Sequence, residues 1–155
     1  MAERLCSFDY GAFAHQVSRV QRGAIPCFLD VFNNKLAISD LGKGLISSWR
    51  IEETEDSVSI SPLHFCDVSY SGPRPVPCAY VSGVRWGDDE TLLVADADGR
   101  KIELFTSDLK PWLTVKASNL PYISDFAMSH DGAILVCDRK GEGRGPCYIL
   151  RSIDS

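Results

Sequence analysis

Apolar and polar residues alternate over short stretches along most of this chain, and clusters of Gly, Asn, Asp and Ser interrupt the alternation. That pattern predicts many short strands joined by tight turns rather than long helices. From residue 26 it predicts strands at Cys27 to Phe32, Leu36 to Ser39 and Leu45 to Ile51, with a fourth lying within Val58 to Val68. Asn33-Asn34-Lys35 turns the chain between the first two, and an acidic bend at Glu52 to Asp56 precedes the last. A second set falls at Ala79 to Trp86, Thr91 to Ala95, Lys101 to Phe105 and Trp112 to Lys116. Thr91 to Ala95 is continuously apolar after its threonine, which suits a strand buried on both faces. A third set comprises Ile123 to Met128, Ile134 to Cys137 and Tyr148 to Arg151, with an enlarged glycine-rich loop before the last strand. Ahead of them all, Arg4 to Phe8 and Ala14 to Val20 also alternate and are predicted as strands.

The sets repeat one phrase. Leu36-Ala37-Ile38-Ser39-Asp40, Leu92-Leu93-Val94-Ala95-Asp96 and Ile134-Leu135-Val136-Cys137-Asp138 each close a β-type run on a small residue and an aspartate. In the first two, an isoleucine follows the aspartate at +6 and a large aromatic at +9 (Ile46 and Trp49; Ile102 and Phe105). A proline stands 14, 19 and 17 residues upstream, at Pro26, Pro77 and Pro121. Four short antiparallel strands per unit of this size is the pattern of a propeller blade. The expected fold is therefore all-β, a partial β-propeller built of four-stranded antiparallel blades. Residues 26–76 and 77–120 make whole blades, 121–155 an incomplete one, and 1–25 the closing strands of a blade before them. That is some three and a half blades, whereas rings close with about four to eight. Unclosed edges and apolar blade faces invite association. The chain is expected to be a piece of a larger propeller, a truncated product, or a part-ring that self-association completes.

The order of proline, strand, Val-Ala-Asp, turn, basic residue, isoleucine and aromatic resembles the NHL repeat. The match is closest at Leu93-Val94-Ala95-Asp96 with Arg100-Lys101-Ile102 and Phe105, and looser at Ile38-Ser39-Asp40 with Ile46 and Trp49. Val136-Cys137-Asp138 departs from it through the loop that follows. The resemblance implies the six-bladed NHL and gluconolactonase-like propellers rather than WD-repeat ones, whose Trp-Asp pair is absent here. In that family, NHL propellers bind RNA or protein on one rim, and related propellers include a peptide-amidating lyase and calcium- or zinc-dependent lactonases. A scaffold shared by several functions leaves function to be argued from the site.

Composition narrows the setting. The chain has 155 residues, 45% of them hydrophobic and 24% charged, as a globular protein requires. A net charge of −5 disfavours phosphate-backbone binding by the whole surface but permits a local basic patch. No apolar run approaches the roughly 18–20 residues of a membrane span. The opening Met1-Ala2-Glu3-Arg4-Leu5-Cys6 has no signal-peptide core, so the cytoplasm is the expected location. Cys6, Cys27, Cys66, Cys78, Cys137 and Cys147 form no C-x-x-C pair, and the simplest reading is buried reduced thiols rather than bridges or a metal site.

Candidate chemistry is sparse. Asp40, Asp96 and Asp138 recur at the end of a strand before a turn, where a carboxylate can accept backbone N–H bonds. They are expected to be structural. Asp30 and Asp125 each lie four residues after a blade's proline, on the strand that lines a propeller's channel, and are weak candidates for a hard divalent cation. Val81 stands at the same offset in the middle blade. His15, His64 and His130 share no ligand spacing, and Ser129-His130-Asp131 are too close in sequence to form a catalytic triad. Arg139, Lys140 and Arg144 make one compact basic loop able to reach an acidic partner or phosphates. Tyr80, Trp86 and Tyr122 could stack on bases or fill the core. Together these point to a non-catalytic binding scaffold that presents rim loops to a protein, or to single-stranded RNA, and needs no cofactor. The competing class is part of a metal-dependent gluconolactonase-like hydrolase or amidating-lyase-like enzyme.

Overall fold

A computed structural model describes residues 6–68, 78, 80–116, 122–138 and 147–150. One short helix, α1 (Tyr10–Val17), precedes eleven strands. β1 (Pro26–Phe32), β2 (Lys35–Asp40), β3 (Leu45–Glu53) and β4 (Val58–Asp67) form the first sheet. β5 (Val81–Trp86), β6 (Leu92–Asp96), β7 (Lys101–Phe105) and β8 (Pro111–Val115) form the second. β9 (Ile123–Met128), β10 (Ile134–Asp138) and β11 (Cys147–Leu150) form the third. Each is an antiparallel meander in chain order.

Local chemistry explains the turns and the burial. Asn33 and Asn34 both take positive φ, 47° and 57°, which suits the two-residue turn linking β1 to β2. β6 is buried at all five positions because both its faces are covered. One face carries Leu92 and Val94 into a core shared with Ala37 and Ile46 of the first sheet, together with Val84, Trp86 and Phe105. The other carries Leu93 and Ala95, with Ile102, onto Ile123, Phe126 and Val136 of the third sheet. Full burial of a side chain such as Phe105 or Leu92 stabilises by about 1.5–3 kcal/mol. The second sheet thus meets the first sheet on one face and the third on the other.

The N-terminal segment departs from expectation. The strand expected over Ala14 to Val20 is instead helix up to Val17, and Phe8, at the end of the other expected strand, lies outside any strand. Residues 1–5 lie outside the described residues. Asp9 caps the helix by accepting from the Ala12 N–H at 2.9 Å. Tyr10, Phe13, Ala14 and Val17 fall on one face of the helix, which packs on Leu36, Ile38, Leu45 and Trp49 of the first sheet. Trp49 is enclosed by aromatics, with ring centroids 4.5 Å from Phe13 and 4.7 Å from Phe8. The helix thus covers the face of the first sheet that a preceding sheet would otherwise meet. Its cover stops short of β1, where Leu29 and Val31 remain 65% and 51% exposed.

Candidate functional site

The repeated aspartates hold matching corners. Asp40 Oδ1 accepts from the backbone N–H groups of Ile25 and Lys43, both at 2.9 Å. Asp96 Oδ1 accepts from Tyr80 and Gly99, both at 3.0 Å. In each case one donor lies three residues downstream and the other in the segment entering the first strand of the same sheet. One carboxylate oxygen therefore pins both the turn and the approach to the sheet. Gly99 is required there, because a Cβ would fall 2.2 Å from Asp96 Oδ2. Asp138 ends β10 at the corresponding position.

Asp40 Oδ2 is buried, and so is the Tyr10 hydroxyl beside it. Burial first, and then the Asp40 carboxylate, push the Tyr10 phenol well above its ordinary 10.0.

Asp30 and Asp125 sit on the first strands of their sheets and reach across to the first strand of the middle sheet. Asp30 Oδ2 accepts from the Trp86 N–H at 2.8 Å. Asp125 receives Arg85 Nη2 on both oxygens, at 3.2 and 3.1 Å. Gly83 makes room for this second contact, since a Cβ there would lie 2.8 Å from Asp125 Oδ1. Both carboxylates act as ties between sheets.

The remaining candidates disperse. His15 is on α1, His64 on β4 and His130 in the turn after β9. Ser129 donates directly to Asp131, bypassing His130. Among the described residues no three His, Cys, Asp or Glu side chains gather as a metal site. Trp86 is buried in the core between the first two sheets, and Tyr80 and Tyr122 are half-buried with their rings 6.3 Å apart. Arg139, Lys140 and Arg144 lie outside the described residues.

Buried thiols are expected of the cysteines, and only Cys78 is fully so among them. Cys78 is buried, and burial pushes its thiol far up; Cys66 is pushed up to about 11 for the same first reason. Cys27, Cys137 and Cys147 are instead exposed. Cys137 and Cys147 face each other across β10 and β11 with their sulfurs 3.7 Å apart. A hydrogen bond between the Cys137 thiol and Cys147 Sγ, then burial, hold Cys137 above its ordinary range.

The most distinctive surface is the forward face of the third sheet. Register places Leu135 opposite Ile149 and Cys137 opposite Cys147. The matching pairs in the second sheet are Leu93 with Leu104 and Ala95 with Ile102. Leu93, Ala95 and Ile102 are buried under the third sheet, with Leu104 packed against them. Leu135 and Ile149 are 41% and 64% exposed. A face built to the same register thus stands without a neighbour among the described residues.

No family model matches the chain, and no curated protein sequence matches it significantly. Solved structures do. A catalytically inactive virginiamycin B lyase from Staphylococcus aureus, with quinupristin, aligns at a TM-score of 0.52 and 13% identity, covering 90% of this chain and 45% of its own. A luciferin-regenerating enzyme aligns at a TM-score of 0.57 and 17% identity, covering 84% of this chain and 45% of its own. Both are propeller folds, and the likeness shows the fold: an all-β partial propeller of antiparallel blades. The chain spans less than half the length of the solved structures it matches.

Proposed function

We propose that this chain is a non-catalytic binding scaffold, an open propeller arc whose forward face on the third sheet receives a protein partner. The observation that carries this reading is the exposure of Leu135 and Ile149 at the register positions that bury Leu93 and pack Leu104 one sheet earlier. The complement to such a face is another apolar sheet, because this is what the same positions already meet twice within the arc. A second copy of the chain is the partner we assign. Two such faces can pack on each other, Leu135 and Ile149 against the same pair of a second copy, as in the isologous contact of a two-fold dimer. The engagement of Asp30 with Trp86 and of Asp125 with Arg85 supports a scaffold over a metal-dependent hydrolase or lyase, since both carboxylates already serve to join sheets. We read the blades as NHL-type on their Val-Ala-Asp motif, and the setting as the cytoplasm.

Hydrogen exchange on the full chain at several concentrations tests it. Amides of 134–138 and 147–150 should exchange more slowly as concentration rises, while those of 36–40 stay unchanged. Exchange independent of concentration, or slowing confined to other segments, would overturn the assignment.

A further inference from the structure

The third sheet carries chemistry that the docking reading does not use. Cys137 and Cys147 are in-register partners on adjacent antiparallel strands, and both are exposed. The same register positions hold Ala95 with Ile102 in the second sheet and Ser39 with Ile46 in the first, all buried. Among the described sheets, the third alone places two thiols there and leaves them open to solvent. Antiparallel partners have Cα atoms about 4.5 or 5.5 Å apart, and disulfides span Cα separations of roughly 4.4–6.8 Å. The two sulfurs already stand 3.7 Å apart. Side-chain rotation can close them to the bonded distance of about 2 Å without moving either strand.

We propose that Cys137 and Cys147 form a thiol–disulfide exchange site that takes low-molecular-weight disulfides such as oxidised glutathione. One thiolate attacks a sulfur of the small disulfide, giving a mixed disulfide and releasing one small thiol. The neighbouring protein thiol loses its proton and attacks the protein sulfur of that mixed disulfide, expelling the second small thiol. The net change is oxidation of two protein thiols to one disulfide and reduction of one small disulfide to two thiols, with protons balanced. The new bond ties the edge strand β11 to β10. The other thiols supply internal controls: Cys78 is buried, while Cys27 is exposed and donates to the Ile25 carbonyl instead of meeting a second sulfur.

Cys137 and Cys147 share the forward face with Leu135 and Ile149, so the reaction is run at a dilution where the chain is monomeric. It is read as a covalent bond within one chain, whereas docking is read on the reduced chain by exchange and size. The full reduced chain is incubated with oxidised glutathione, and its thiol-containing peptides are mapped by mass spectrometry. The expected product joins the Cys137 and Cys147 peptides within one chain and is reversed by excess reductant. Cys137→Ser and Cys147→Ser should each convert it to a persistent glutathione adduct on the remaining partner, and Cys27→Ser should leave it unchanged. Wild-type chain that keeps both thiols, or carries a separate adduct on each, would overturn the proposal. Circular dichroism matched to wild type qualifies each variant, and Cys137→Ala and Cys147→Ala replace any serine variant that misfolds.

Discussion

Asp96 shows how much one side chain can fix. Its Oδ1 satisfies two backbone donors from separate segments, and both would be left without it on truncation. Asp96→Ala should lower unfolding stability by about 1–3 kcal/mol, measured by urea titration, while Asp96→Asn keeps an acceptor and should lose less. Tyr10 gives a pH dependence with a definite sign. Its folded-state pKa is raised above the ordinary 10.0 by burial and by Asp40. The unfolded chain therefore releases the phenolic proton at lower pH than the folded chain. Stability that is fully present below about pH 10 should fall as pH rises further, and Tyr10→Phe should remove that component of the alkaline loss. The corner aspartates were legible in the sequence because they recur after the same strand. The ties made by Asp30 and Asp125 were not, because their partners Trp86 and Arg85 lie on another sheet and no local spacing announces them.

At the scale of elements, period-two alternation located the strands because each meander buries alternate residues against a neighbouring sheet. Lys101–Phe105 and Ile123–Met128 fall where the alternation put them. The helix was missed because its segment also supports an alternating reading. A helical signal was present in Asp9 as cap and in Tyr10, Phe13, Ala14 and Val17 at i, i+3, i+4 and i+7. Tertiary contact with Trp49 decides between the two, since a helix of eight residues is marginal by itself. Phe13→Ala should consequently loosen α1 from the first sheet. Tryptophan emission should shift to longer wavelength as Trp49 meets water, accompanied by a destabilisation of roughly 2 kcal/mol. Unchanged emission and stability would show that the helix does not protect this face.

At the scale of the whole molecule, α1 covers part of one face of the first sheet, and the forward face of the third sheet stands exposed among the described residues. The repeat in the sequence made the sheets and their order legible. It could not show that a helix would cover the first sheet, nor that Leu135 and Ile149 would stand uncovered, since exposure depends on which neighbour is present. The exposed pair is the point at which fold and proposed function meet, and sedimentation velocity on the full reduced chain tests that connection most directly. Wild-type protein should sediment as a dimer that dissociates on dilution, and Leu135→Glu, on an already solvent-exposed position, should sediment as a folded monomer at every concentration. A wild-type chain that stays a monodisperse monomer across the same range, or a Leu135→Glu variant that dimerises as well as wild type, would contradict the account.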